Sequence, residues 1–276
     1  MEGGSKLRIG AAMPIRSLGE HRDWLISGQR DLEIQDSAIP AVLDGDWKAL
    51  VRQARETLSG YTGRLGVHGP FIGFSLRAGF DRKLCEIVID RLRQSLEFAA
   101  ELGAGYMVIH SPYVFFGASP FSIDAGPKGM FDEKATVHAV LDEIVGLAEA
   151  AKCVLVIENV QDTNTVPLLD LIRSFDSEYV RMSLDVGHAF ITHKLGGPTP
   201  DQWVRDAGPL LEHMHIQDSD GQTDRHWAPG DGEVNWHALF EAIDMLEQSP
   251  RMILELRDHR AIERGAAYLA GRGFIE

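Results

Sequence analysis

Short β-rich runs alternate with longer helical patterns along the whole chain, and this alternation is the feature that most constrains the fold. Most of the eight β-rich runs are apolar with little alternation, as is typical of parallel strands covered on both faces. The eight runs lie at 7–13, 30–35, 64–68, 105–110, 152–158, 180–185, 211–217 and 251–256. Helical periodicity is clearest at 81–102, 133–151 and 236–248. Eight strand signals, each followed by a helix signal, predict a closed (β/α)₈ TIM barrel rather than an open doubly wound sheet.

The segment 81–102 shows the helical pattern most fully. Five apolar residues recur at three- and four-residue steps and predict one buried stripe. They are Leu84, Ile87, Val88, Leu92 and Leu96. Gly103 follows in the usual position of a glycine that ends a helix.

Length and composition agree with one barrel. The chain has 276 residues, and α/β barrels typically run to about 250. We therefore predict a single domain over residues 1–276. The only cysteines, Cys85 and Cys153, form no C-x-x-C pair, which argues against a disulfide framework and favours a reducing cytoplasm. No signal-peptide pattern and no membrane-length apolar run is seen, so we expect a cytoplasmic protein without a membrane partner.

The chain is acidic, with a formal net charge of −14. Nucleic-acid binders usually carry a basic face, because neutralising phosphates supplies much of their affinity. The charge therefore counts mildly against a nucleic acid as partner, although bound metal cations would offset part of it.

Potential metal ligands fall at the ends of six consecutive predicted strands. Parallel strands of a barrel bring these ends around one mouth, so the side chains must converge. Crowded carboxylates repel one another unless they are protonated or bound to cations. The residues are His68, His110, Glu158, Asp185, His188, His215 and Glu255, with Asp224 and His226 in the loop after the seventh strand. Mixed histidine and carboxylate ligands suit Zn²⁺, Mn²⁺ or Fe²⁺ better than Ca²⁺, and we predict a divalent metal site, with Zn²⁺ or Mn²⁺ favoured.

Other histidines have simpler interpretations. His213 precedes His215 by two residues, so it points the same way one layer deeper, and we interpret it as a core or supporting residue rather than a ligand. Four histidines lie in helical or loop contexts and are predicted to be at the surface. They are His21, His138, His193 and His237. Trp236 is expected to pack its own helix.

Several linked motifs carry a resemblance that covers nearly the whole chain. They include V-H-G-P-F at 67–71, V-I-E-N at 156–159, S-L-D-V-G-H at 183–188 and H-M-H-I-Q-D-S-D-G-Q-T-D-R-H-W-A-P-G-D-G-E-V-N-W at 213–236. In their order and spacing the chain resembles the xylose-isomerase-like barrel superfamily, which includes sugar isomerases and epimerases and endonuclease IV, or AP endonuclease family 2.

The resemblance implies up to three metal sites. By likeness to endonuclease IV, His68, His110 and Glu158 would hold one metal. The second would be held by Glu158, Asp185, His215 and Glu255. The third would be held by His188, Asp224 and His226. Sugar epimerases of the superfamily use only the second set, and its two glutamates double as acid and base.

The loops that would meet DNA are only half represented. Endonuclease IV inserts side chains from the loops after its second and third strands into the duplex. Here the loop at 36–46 is acidic and has no Arg or Lys, and carboxylates would oppose phosphates. The next loop does offer Phe71 and Ile72 as wedges, followed by Arg77.

The leading hypothesis is a metal-dependent isomerase or epimerase of a small polyhydroxylated substrate, such as a sugar, polyol or inosose. Glu158 and Glu255 would move protons on opposite faces, while the metal stabilises the enediolate. The residues proposed to contact substrate are His188, Arg225, Trp227, Phe71 and Tyr113, and Phe115 and Phe116 extend the aromatic cluster.

Three alternatives stay open. One is cleavage of DNA at abasic sites by a trinuclear centre, and another is different metal chemistry on the same scaffold. The third is a barrel that binds without catalysis. The apolar segment 114–116 would form a lid over the mouth or an interface of a homo-oligomer.

Overall fold

The computed structural model describes residues 7–71, 75–113 and 133–276. Eight parallel strands close into a barrel in chain order, and the last strand pairs with the first. The strands are β1 (Ile9–Met13), β2 (Leu32–Ile34), β3 (Leu65–His68), β4 (Tyr106–His110), β5 (Val154–Glu158), β6 (Val180–Asp185), β7 (Leu211–Ile216) and β8 (Arg251–Leu254). The prediction of a single TIM barrel is confirmed.

Helices follow every strand and form the outer layer. They are α1 (Leu18–Gly28), α2 (Pro40–Leu43), α3 (Trp47–Thr57), α4 (Arg82–Leu102), α5 (Glu133–Ala151), α6 (Thr165–Ser174), α7 (Val186–Lys194), α8 (Pro200–Ala207), α9 (Trp236–Asp244) and α10 (Ile262–Ala270). Two helices follow β2 and two follow β6. Their apolar faces bury the outward-facing side chains of the strands in one continuous core.

The helix α4 confirms most of its pattern and corrects one part. Gly103 ends the helix with a φ of 83°, a left-handed conformation that glycine adopts without steric cost. Val88 is buried, as the stripe predicts, but Leu84 and Ile87 are 47% and 58% exposed. The prediction for those two residues was wrong, because burial along α4 begins only at Val88, after the first turn.

Strand register brings the predicted ligands to one end of the barrel. His110 is the register partner of Glu158, and Asp185 is the partner of His215. Glu255 lies directly after β8. These side chains therefore surround one mouth at the carboxyl ends of the strands, where TIM-barrel enzymes place their active sites. Within the described residues, no helix is both long and apolar enough to cross a membrane.

Candidate metal centre at the barrel mouth

Four side chains from consecutive strands form the densest group at the mouth. Glu158, Asp185, His215 and Glu255 place ligand atoms within 4.8 Å of one another, and all four residues are buried. His215 Nδ1 lies 3.1 Å from Glu158 Oε1 and 3.3 Å from Glu255 Oε2. One imidazole nitrogen and three carboxylates thus face a common point.

Glu158 links this group to a second one. Its Oε2 lies 3.4 Å from His110 Nε2 and 3.8 Å from His68 Nε2. The aromatic ring of Phe71 covers both imidazoles, with centroid distances of 5.1 Å to His68 and 4.7 Å to His110. His68, His110 and Glu158 also place ligand atoms within 4.8 Å of one another.

The third group comprises His188, Asp224 and His226. Asp224 Oδ2 lies 2.8 Å from His226 Nε2, and Asp224 Oδ1 lies 3.5 Å from His188 Nε2. His226 has a φ of 50°, in the left-handed region that non-glycine residues seldom occupy. Such conformations cluster at functional sites, where the surrounding structure holds them in place.

Backbone carbonyls fix the orientation of three of these imidazoles. His68 Nδ1 lies 2.8 Å from the carbonyl oxygen of Gly69. His188 Nδ1 lies 3.0 Å from that of Asn159, and His226 Nδ1 lies 3.0 Å from that of Glu255. Because a carbonyl can only accept, each Nδ1–H is the donor. Nε2 of each ring then faces a carboxylate of its own group, where a metal ion would take the place of a proton. This arrangement is typical of metal-binding histidines.

Charge and burial at the mouth pull protonation in opposite directions. Burial lowers the pKa of His110 to about 3, so this imidazole is neutral at pH 7. Burial raises the pKa of Asp185 to about 6. Burial opposes the charged form of His226 as well, but the hydrogen bond to Asp224 and nearby carboxylates raise its pKa to about 9.

Glu158 and His215 each stabilise the charged form of the other. Burial disfavours ionisation of Glu158, but His215 and other imidazoles hold its pKa well below the usual range. Burial opposes protonation of His215 as well, but Glu255, Glu33 and Glu158 raise its pKa well above the usual range. The carboxylates at this point therefore require a positive counter-charge, which is either a proton or a metal ion.

The donor set fits a divalent metal. Within the described part of the chain, Glu158 Oε2 is buried without a hydrogen-bond partner, although it faces two imidazole nitrogens. A buried anionic oxygen in that position is costly unless it is paired or coordinates a cation. Histidine nitrogens with carboxylate oxygens are the ligands that Zn²⁺ and Mn²⁺ accept.

A buried aspartate holds the loop that carries the third group. Asp218 accepts hydrogen bonds from the backbone N–H groups of Ser219, Gly230 and Val234 and from the indole of Trp236. The loop 218–235 is therefore closed on one carboxylate, and Trp236 packs in its helix as expected.

Sequence reasoning missed several side chains that support the site. Gln35 donates to Glu255, Asn159 exchanges two hydrogen bonds with the backbone of Asp185, and Gln217 donates to both Asp185 and Asp224. Glu33, in β2, accepts from His215. The only sequence signals for them were a polar residue inside an apolar strand pattern, for Glu33, Gln35 and Gln217, and the position of Asn159 directly after a strand.

The residues expected to contact substrate differ in their exposure and in their contacts. Trp227 is 37% exposed, and the guanidinium of Arg225 lies over its ring while pairing with Asp220. Tyr113 is half-buried just after β4. Ile72 and the predicted aromatic extension at 114–116 lie outside the described residues.

The predictions for His213 and His21 have different outcomes. His213 lies fully buried below His215, next to Glu33 and Ser183, in the deeper layer that its spacing indicates. His21 is buried in α1, so its expected surface position was wrong. Its neighbours in the helix gave no sign of this, since α1 has a weak apolar pattern.

Comparison with known proteins places the chain in a family. The family model described as the xylose isomerase-like TIM barrel matches residues 30–276. The uncharacterized protein MJ1311 of Methanocaldococcus jannaschii is 24% identical over 200 residues, covering 70% of this chain but only 64% of that protein.

Two solved structures share the fold over nearly the whole chain. A D-tagatose 3-epimerase-like protein superposes with a TM-score of 0.75 at 19% identity, covering 96% of both chains. The TTHB071 protein from Thermus thermophilus, soaked with ZnCl₂, has a TM-score of 0.69 at 26% identity and covers 96% of this chain and 99% of its own. The closed barrel and the family match together show that the chain belongs to the xylose isomerase-like TIM barrel family.

Proposed function

We propose that the protein is a metal-dependent isomerase or epimerase of a small polyhydroxylated substrate. The observation that carries the proposal is the convergence of Glu158, Asp185, His215 and Glu255 within 4.8 Å at the mouth. The likeness to a D-tagatose 3-epimerase-like protein supports the substrate class. A divalent cation held by these four residues would supply Lewis-acid stabilisation of negative charge on substrate oxygens.

The two glutamates would carry the proton transfers. Glu158 in β5 and Glu255 after β8 both reach His215 Nδ1, and in this mechanism the reacting carbon of the substrate would lie between the two carboxylates. One carboxylate removes the proton beside a carbonyl, and the other returns a proton to the opposite face. Gln35 donates to Glu255 Oε1 at 3.1 Å, which orients that carboxylate.

The remaining groups would bind and shield the substrate. His188 and Arg225 would orient substrate oxygens, and the exposed face of Trp227 would stack on an apolar face of a sugar. Phe71 covers the imidazoles of His68 and His110 and limits access of water from that side. These assignments are proposals for binding, and each predicts a higher KM when the side chain is truncated.

The test is proton exchange in D₂O. The protein is loaded with Mn²⁺, Zn²⁺ or Co²⁺ and incubated with a panel of ketoses, aldoses and inososes, and new epimers and deuterium at carbon are measured. Glu158→Gln should lower turnover at least 10²-fold, the usual range for a lost acid or base being about 10²–10⁴. The control Glu212→Gln makes the same substitution where β7 begins, at the other end of the barrel. Near-normal turnover by a folded Glu158→Gln protein would refute the mechanism.

A second candidate, phosphodiester cleavage at abasic sites in DNA, is favoured by one observation. All nine residues of the three groups come together, including His188, Asp224 and His226, which a single-metal epimerase does not require. In the acidic loop, Arg91 offsets the charge of Asp44, whereas Asp36 and Asp46 accept hydrogen bonds from the backbone N–H groups of Ile15 and Ala49.

One duplex substrate separates the two functions. An oligonucleotide with a single abasic site is incubated with metal-loaded protein, with and without chelator. Chelator-sensitive cutting well above that of Glu158→Gln would favour the nuclease. If protein shown to contain metal does not cut the oligonucleotide, the nuclease candidate is excluded and the isomerase proposal stands.

A further inference from the structure

The support of His215 differs from that of the other imidazoles at the mouth. Its Nε2 lies 3.0 Å from Glu33 Oε1, so a carboxylate takes the place that backbone carbonyls take beside His68, His188 and His226. The orientation is also reversed, because Nδ1 of His215 faces Glu158 and Glu255.

Glu33 lies behind His215 together with His213, and these three buried residues place their ligand atoms within 4.8 Å of one another. It is fully buried in the middle of β2, and within the described residues its only side-chain hydrogen bond is the one to His215. Its second oxygen lies 3.2 Å from His213 Nε2 without the alignment of a hydrogen bond. A buried carboxylate must be paired, and the imidazole of His215 is the partner to which Glu33 is hydrogen-bonded.

His213 contacts Glu33 from the deeper layer of the barrel. Its Nδ1 lies 2.8 Å from Ser183 Oγ, and its ring packs against Tyr106 at a centroid distance of 4.9 Å. The imidazole is therefore fixed below Glu33 and leaves the carboxylate little room to turn away from His215.

We infer that Glu33 is a positioning residue that keeps the proton of His215 on Nε2 and presents the Nδ1 lone pair to the metal. A carboxylate behind a metal-bound imidazole fixes its tautomer and raises its basicity, and losing such a partner typically lowers metal affinity about 10- to 100-fold. The inference rests on the metal site of the proposed function and adds to it a residue outside the ligand set.

The test compares Zn²⁺ affinity, measured by competition with a chromophoric chelator, in wild type, Glu33→Gln and Asp31→Asn. Asp31 is a matched control because it is buried just before β2, pairs with Arg64 and lies away from the mouth. We expect Glu33→Gln to weaken binding by at least tenfold and to change the visible spectrum of the Co²⁺ form. Asp31→Asn should leave both unchanged. Equal affinities of wild type and Glu33→Gln would overturn the inference alone, whereas an absence of metal binding by wild type would overturn the proposed function with it.

A measurement on the wild type covers the case in which Glu33→Gln fails to fold. In Zn²⁺-loaded protein labelled with ¹⁵N-histidine, His215 should show a protonated Nε2 and a metal-bound Nδ1. Metal bound at Nε2, or held between Glu33, His213 and His215, would contradict the inference.

Discussion

Replacing Asp218 by asparagine should release the loop that carries Asp224 and His226. Asp218 Oδ1 accepts from Ser219 and Val234, and Oδ2 accepts from Gly230 N–H at 2.8 Å and the Trp236 indole at 3.2 Å. An amide has one acceptor oxygen, so two of these bonds are lost whichever way the side chain turns.

The magnitude follows from the charge on the acceptor. Hydrogen bonds to a charged group contribute about 1.5–3 kcal/mol each, so two lost bonds cost about 3–6 kcal/mol. The amide NH₂ would also face two donors, which adds to the cost. This loss is a large share of the roughly 5–15 kcal/mol that a domain typically has.

Denaturant unfolding followed by tryptophan fluorescence measures this loss, because the indole of Trp236 is one of the donors. Asp220→Asn is the matched control in the same loop, where the carboxylate pairs with Arg225 at the surface, and little change is expected there. A decrease of less than about 1 kcal/mol in Asp218→Asn would refute the view that this carboxylate closes the loop.

Two further predictions concern the surroundings of the site. Burial raises the pKa of Asp162 from 3.8 to about 7, so the folded state holds a proton that the unfolded state releases. The contribution of this group to the unfolding free energy should therefore fall by about 3 kcal/mol between pH 4 and pH 7. Asp162→Asn keeps hydrogen-bond partners for Val160 and Ser111 and removes the titrating group. Its unfolding free energy relative to wild type should therefore rise from pH 4 to pH 7. Denaturant unfolding that shows the same pH dependence for both proteins would contradict this. Gly187→Ala would place a methyl group inside van der Waals contact with the amide of Gln217, so we expect weaker binding of metal by Asp224 and a net loss of about 1 kcal/mol. Metal content unchanged by that substitution would show that Gln217 can move without consequence.

The sequence predicted the barrel and its mouth because both depend on repeated local signals. Six consecutive apolar runs end in a histidine or carboxylate near the end of the strand, and barrel closure then brings those ends together. His110 and Glu158 are register partners for this reason, although they are far apart in the chain.

Supporting contacts were not predictable in the same way. Glu33 meets His215 across 182 positions, and nothing near either residue signals the contact. The pairing of His213 with Ser183 also depends on a shift of the strand register between Met182 and Ser183, and amino-acid composition gives no sign of such a shift. Exposure of Leu84 and Ile87 and burial of His21 depend equally on which neighbouring elements reach them.

The most direct test of the account is anomalous X-ray scattering from crystals of Zn²⁺-loaded protein, measured above and below the zinc edge. The account predicts the strongest peak among Glu158, Asp185, His215 and Glu255, at the roughly 2.0–2.2 Å ligand distances of nitrogen and oxygen on zinc. Additional peaks at the other two groups would support the nuclease, and a single peak would support the epimerase. A mouth without any peak, in protein that is folded and saturated with Zn²⁺, would contradict the assignment of this site as a metal centre.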